Sequence, residues 1–346
     1  MDNLTHGLSG MLAGRLYSRK LPGGALPLKH RLWMGFVLAN MPDLDIVLAP
    51  FSAQLYLQHH RGLSHSLLML PLWALLLAGL LAIVIRPRGG LWSLFPFTAL
   101  CLGLHIFGDW ITGYGTQLFA PLSTTHYALG STFILDPVLT GLLLLGVVAS
   151  LTWRQRAWPA VFMVVLALGW IALEAHYQHK ALEYGREYAT RRGWVEARVT
   201  AEARPWAPFN WTVLVHHGEY YDTSDVHLGP GDPAPPRANQ YWVLAAIAAF
   251  RPPAEAGWQT IPRFGKTLDE PLARWAWSAP QFAFFRRFAG APALYRIDLD
   301  ADKSCVWFQD LRFSSPQRPS PFRFGLCGPD WKTYRLNNNG QAERYQ

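Results

Sequence analysis

Long apolar runs separated by short polar turns fill the first part of the chain and give way near residue 176 to shorter, alternating stretches. Four runs, Leu67–Ile85, Leu91–Phe107, Val138–Leu151 and Trp158–Ala175, predict helices near the length needed to cross a bilayer core of about 30 Å. Two earlier segments are weaker. Leu4–Tyr17 is short and Gly-rich, and Leu32–Leu48 is broken by Asn40-Met41-Pro42-Asp43-Leu44-Asp45, so they read as a further helix pair. After residue 176 the stretches Trp211–Val215, Tyr241–Ala248, Leu294–Leu299 and Val306–Phe313 alternate as strands do, with Pro and Gly clusters such as Gly229–Arg237 between them. Glu174–Arg192 reads as a helical lead into this part.

The pattern predicts a mainly α protein: a polytopic membrane helix bundle of roughly four to six helices over residues 1–176, then a small β-rich soluble domain over residues 177–346. The net charge of +8 could suggest nucleic acid, but the arginines are dispersed, and several sit in turns beside apolar helices. The turns at Arg15–Arg31, Arg86–Arg88 and Arg154–Arg156 fall on one side of the expected bundle, which the positive-inside rule assigns to the cytoplasm. Trp33, Trp92, Trp110, Trp153 and Trp158 suit interfacial belts. Residues Met1–Gly14 lack the basic start of a cleavable signal, so insertion is expected through the chain's own helices.

The opposite helix ends carry the ionisable groups. Asp2 and His6, then Asp43 and Asp45, then His59–His65, then His105 and Asp109, then Asp136 all fall on the side away from the basic turns. His105 and Asp109 stand four apart and share a helix face, where both can bind one ion. A lone pair of this kind is more often a hydrogen-bonded couple than a metal site, Asp43 and Asp45 can cap or break a helix, and His59 and His60 can sit solvated in a loop. Ionisable groups at a bilayer carry a functional reading by default, and one metal site explains them jointly. The candidate ligands are His6, Asp43, Asp45, His60, His65, His105 and Asp109, with Arg61, Asp45 and Asp2 as candidate catalytic residues. Arg61 is open between anchoring an aspartate and meeting a phosphoryl anion. The ligand set suits one or two divalent ions, zinc foremost, with manganese or iron as alternatives. Asp136 before Pro137 reads as a helix N-cap, and Gly113-Tyr114-Gly115-Thr116 as a turn. His176, His179, His216, His217 and His227 lack acidic partners at ligand spacing.

Three cysteines exclude a CxxC zinc module and a disulfide-rich scaffold. Cys101 lies in an apolar run as a packed thiol. Cys305 and Cys327 flank a turn-rich stretch, which leaves a bridge and two separate thiols both open.

In Thr5-His6-Gly7, Pro42-Asp43-Leu44-Asp45, His60-Arg61-Gly62-Leu63-Ser64-His65-Ser66 and His105 to Asp109 followed by Thr112, the sequence resembles the membrane-bound metal-dependent hydrolase family typified by the bacterial YdjM and YfhP proteins. The likeness covers about residues 1–150, with a weaker match around Asn210-Trp211 and Asp310-Leu311-Arg312-Phe313; Ser64 stands where the family usually has Thr. The resemblance implies hydrolysis at a bacterial inner membrane. The order His, Asp, His, then His-x-x-x-Asp also looks like the zinc-dependent phospholipase C and nuclease group, whose later His and Glu ligands have no counterpart here. That parallel favours a phosphoester, and the membrane setting favours a lipid or lipid-linked substrate, with no nucleic acid. Site and C-terminal domain are expected outside the cytoplasm. Lipid handling or transport without chemistry, and an assembly protein with a structural metal, are the competing readings.

Overall fold

Asp2 starts the first helix by accepting hydrogen bonds at Oδ1 from the Leu4 and Thr5 amides, 3.1 Å each, and at Oδ2 from the Thr5 hydroxyl at 2.6 Å. In the computed structural model, which describes residues 1–17, 27–51, 53–87, 90–205, 208–231, 248–299, 304–315, 318–337 and 339–345, the helical part then runs in order. It comprises α1 Asn3–Leu16, α2 Leu28–Asn40, a 3-10 turn Pro42–Leu48, α3 Ala53–His59, a 3-10 turn Leu63–His65, α4 Leu70–Ile85, a 3-10 turn Leu91–Ser93, α5 Phe95–Trp110, α6 Pro137–Thr152 and α7 Trp158–Arg191. The β-rich part follows: β1 Arg198–Ala203, β2 Asn210–His217, β3 Tyr220–His227, β4 Gln259–Pro262, α8 Glu270–Ser278, α9 Ala283–Phe288, β5 Pro292–Leu299, β6 Ser304–Asp310, β7 Arg323–Cys327, β8 Lys332–Leu336 and β9 Ala342–Arg344. The expected strand Tyr241–Ala248 short of Ala248, most of the loop Gly229–Arg237, the middle of the Arg15–Arg31 turn and Arg88 lie outside the described residues.

The chain divides into two compact units. One holds Met1–Val47 and His59–Ala175; the other holds Leu48–Gln58 and His176–Gln346.

In the first unit α1 packs on α2, α5 and α6. Its contact with α2 depends on glycine, because a methyl group at Gly10 would overlap the Gly35 carbonyl, and one at Gly35 would overlap the Gly10 carbonyl. Small residues let the two backbones meet, as between helices in lipid. In α4 the burial pattern is inverted relative to a soluble helix: Ala74 and Ala78 are buried, while Leu80, Ile83 and Val84 are exposed. Large aliphatic groups facing outward are at home against hydrocarbon. Asp136 caps α6 through Oδ1, which accepts the Leu139 amide at 2.6 Å, with Pro137 at the first helical position.

α4 and α5 start later than their apolar runs. α4, α5 and α6 have 16 residues each, about 24 Å at 1.5 Å per residue. Pro71 and Pro96 sit in the first turns of α4 and α5, and Leu91–Ser93 is spent on a 3-10 turn, so the runs start before their helices do. Among the described residues, α7 is the one helix long and apolar enough to cross a membrane by itself. A second span follows if Leu55–His65 and Leu70–Ile85, bent by 82°, form one broken span.

In the second unit, two antiparallel sheets are ordered β1-β2-β3-β4 and β5-β6-β7-β8-β9. The C-terminal half of α7 covers the first sheet, where Ala181 is buried with Ala201, Trp211, Val213 and Val226. Leu214, Tyr221, Ala291, Ala293 and Leu311 form another buried cluster. The expected strand Val306–Phe313 ends at Asp310, whose Oδ1 accepts the Arg312 amide at 3.1 Å and turns the chain into a 3-10 turn. Cys305 and Cys327 are partners in the β6–β7 register and are joined by a disulfide. Cys101 is a free, buried thiol packed with Ala13, Leu38, Ala39 and Phe97.

Candidate metal centre

His105 and Asp109 project from the same face of α5, and both are fully buried. The His105 Nδ1–H donates to the Ala39 carbonyl at the end of α2, at 2.6 Å. A carbonyl can only accept, so in the neutral ring Nε2 carries the lone pair. The 3-10 turn Leu63–His65 brings the second imidazole. Ser64 donates its hydroxyl to Asp45 Oδ2 at 3.1 Å and lies 2.9 Å from His65 Nδ1, so this hydroxyl accepts the Nδ1 proton. The lone pair of His65 Nε2 therefore also points inward. The two Nε2 atoms face one another at 2.9 Å.

Two carboxylates close the group. Asp109 Oδ2 lies 3.1 Å from His65 Nε2 and 3.5 Å from His105 Nε2; Asp43 Oδ1 lies 3.3 and 3.5 Å from the same atoms. One ligand atom from each of Asp43, His65, His105 and Asp109 falls within 4.8 Å of the others. Asp109 Oδ2 is buried and receives no hydrogen bond, which follows if neither imidazole presents a proton to it. Four electron-pair donors aimed at one point repel one another without a cation, so this donor set fits a divalent metal.

Hydrogen-bond donors hold the other side of Asp109. Its Oδ1 takes Arg61 Nη2 at 2.8 Å, the Met1 amino group at 2.5 Å and His6 Nε2 at 3.2 Å. Arg61 is buried, with Nη1 donating to the Asp109 carbonyl at 3.3 Å and to the Thr112 hydroxyl at 3.1 Å, and its guanidinium lies over the Tyr114 ring at 4.7 Å. Its backbone adopts the left-handed region, φ 59°. The residue's amide approaches Asp45 Oδ2 at 3.4 Å while its carbonyl accepts the Gln117 amide at 2.9 Å, and both contacts hold that turn in place.

The candidate residues thus separate by contact. Asp43, His65, His105 and Asp109 converge on one point, and Asp43, Asp45 and His60 form a second, half-buried group. Asp45 is occupied by the His60 ring at 3.0 Å and by Ser64, so it orients the turn that carries His65. His6 bonds Asp109 and stacks on His105 with ring centroids 3.8 Å apart, outside the four-atom group. Asp2 is not brought to the group: its oxygens are taken by the α1 cap. His59 is exposed.

The chain belongs to the YdjM inner membrane protein family, whose profile matches residues 1–178. Family membership covers the whole helical unit described above and places the protein in the inner membrane by that description. The uncharacterized protein YfhP of Bacillus subtilis is 31% identical over 139 residues, which are 40% of this chain and 42% of YfhP. The match therefore spans less than half of that relative. No solved structure matches the chain.

Glu174 is a buried acid that the apolar pattern does not single out. It is fully buried on α7, with the Thr132 hydroxyl donating to Oε2 at 2.6 Å. An acid within Ile171-Ala172-Leu173-Glu174-Ala175 was the available signal; the polar residues after it made it look like part of a solvated lead. Tyr114 and Gln117, which support Arg61, carried no signal beyond a turn-like setting.

Proposed function

We propose that the helical unit is a metal-dependent hydrolase centre that acts on a phosphoester or other ester of a lipid-like substrate. The observation that carries this reading is the convergence of two imidazole nitrogens, each freed by a committed Nδ1, with two carboxylate oxygens in a buried position. When bound, a zinc-type cation supplies Lewis acidity, which makes water nucleophilic at neutral pH and polarises an ester or phosphoryl oxygen.

The chain's own residues divide the remaining work. His65, His105, Asp43 and Asp109 would hold the ion, and a mixed imidazole and carboxylate set suits zinc, manganese or iron. Asp43 belongs to both groups, which supports a second ion bound with Asp45 and His60. Arg61 acts as a positioning residue: its two Nη atoms fix both the Asp109 side chain and the backbone beneath it, so Oδ2 stays aimed at the imidazoles. Asp45 and Ser64 set the tautomer of His65 in the same way.

The basic turns on one side and the ionisable cluster on the other support a site open to the extracytoplasmic face. The Cys305–Cys327 bridge supports the same side for the C-terminal unit, because disulfides persist in oxidising compartments.

Elemental analysis of the purified protein, followed by incubation with phospholipids and isoprenoid phosphates, tests the reading. Bound divalent metal and release of a head group, phosphate or fatty acid are expected, with both lost in His105→Ala. A folded, active-site-intact protein that binds no divalent metal would sink the proposal.

A further inference from the structure

The first unit contains an apolar cavity of about 230 Å³ between α1, α5, α6 and α7, with walls formed by residues such as Leu12, Ala13, Leu104, Leu143, Ala167 and Leu168. Thr5, His6, Ser9 and Gly108 line it as well, and His6 and Gly108 border the metal centre. His6 touches that centre directly, through Asp109 at 3.2 Å and the stacked His105 ring. Gly108 lets His6 sit there, since a methyl group at this position would lie 3.0 Å from His6 Cε1.

We propose that this cavity seats one acyl chain of a bilayer lipid whose head group lies at the His and Asp cluster. The proposal rests on the hydrolase reading and names its substrate class. Three observations support it. The hydroxyls on the wall are already committed: Thr5 donates to Asp2 at 2.6 Å and Ser9 to the His6 carbonyl at 2.8 Å. Neither proton is available to a polar occupant, whereas a hydrocarbon needs none. The lining extends along α1 from Thr5 and His6 to Leu16, a distance of about 15 Å at 1.5 Å per residue. That equals half of a bilayer core of about 30 Å, so a leaflet lipid with its head at the cluster carries its chain at this depth. Met1, His6 and Gly108 bring the lining to the cluster, and the rest of the wall is apolar but for Thr5 and Ser9, which orients an amphiphile with its head at the cluster.

The test uses the full chain in nanodiscs of phosphatidylethanolamine and phosphatidylglycerol containing a small fraction of phosphatidylglycerol with a diazirine in one acyl chain. After illumination and digestion, crosslinks on the buried lining residues Leu139 and Leu143 should exceed those on the outward Leu80 and Ile83 of α4. Ala167→Trp, which fills the cavity wall, should reduce the cavity crosslinks about tenfold while leaving those on α4 and the metal content unchanged. Leu143→Ala, which enlarges the cavity, should retain or raise them and guards against misfolding of the first variant. Equal labelling of cavity and α4 positions, or no effect of Ala167→Trp in folded protein, overturns the proposal. Stronger cavity labelling by a diazirine isoprenyl phosphate than by the phospholipid overturns the acyl assignment. Metal is measured on the same samples: cavity labelling without metal removes the hydrolase reading alone, and metal without cavity enrichment removes the chain site alone.

Discussion

His65 and His105 turn their Nε2 atoms toward each other at 2.9 Å while each ring spends its Nδ1 proton elsewhere, one on the Ser64 hydroxyl and one on the Ala39 carbonyl. Asp109 Oδ2 is likewise buried without a hydrogen bond, so the group could hold a metal ion.

The Ser64 hydroxyl is the cheapest point at which to break this arrangement. Ser64→Ala leaves a ligand set of unchanged composition but removes the group that orients His65, so metal affinity should fall about 10- to 100-fold. Ser64→Thr keeps the hydroxyl and should bind as the wild type does. Competition with a chromophoric chelator measures both, and equal affinity in the Ala variant would show that Ser64 does not orient the ring.

Arg61→Lys preserves charge and loses the planar fork that engages Asp109 twice and Thr112 once. Metal retention is expected to fall by about tenfold or more, as for loss of a supporting contact, with turnover falling in parallel. Unchanged metal content with reduced turnover would instead mark Arg61 as a direct contact to a phosphoryl group.

Glu202 makes the stability of the β-rich unit depend on pH. Burial pushes its pKa from 4.5 up to about 7, against the pull of Arg312 and Arg204. Between those values the folded chain holds a proton that the unfolded chain releases, so stability is greatest below pH 4.5 and falls as pH rises to about 7. The change is on the order of 3 kcal/mol for this group. Thermal melts followed by tryptophan fluorescence should show the decline, and Glu202→Gln should flatten it; a variant with the same slope as the wild type would assign the dependence elsewhere.

The disulfide closes a loop with a sequence separation of 22 residues. Its loss in Cys305→Ser/Cys327→Ser should destabilise the unit by about 3 kcal/mol in the chain-entropy model. In denatured, unreduced protein only Cys101 should react with a thiol probe. Labelling of Cys305 and Cys327 without reductant would remove the bridge, and a cytoplasmic reporter signal after residue 176 would overturn the topology that accounts for it.

The amino-acid sequence by itself determined the features that depend on near neighbours. The i to i+4 relation of His105 and Asp109 and the cap formed by Asp136 before Pro137 follow from local periodicity and turn chemistry, whereas β2 is buried from Asn210 to Val215 without the expected alternation. Past the change near residue 176, α7 continues to Arg191, and β1 begins at Arg198. For α4 and α5, however, the apolar run exceeds the helix, because Pro71, Pro96 and the Leu91–Ser93 turn consume residues that composition counts as span. Only the tertiary structure decided which ionisable groups share a point. Asp2 and Asp43 are both acids near helix ends, but the first is used by its own backbone, whereas the second meets rings from residues 65 and 105. His6 and His65 are both histidines beside Asp109, and they differ in which oxygen they approach. Those distinctions rest on ring tautomers, on the close backbone approach of Gly10 to Gly35, and on the left-handed turn at Arg61. Each is set by contacts between elements far apart in the chain, which short-range patterning does not encode.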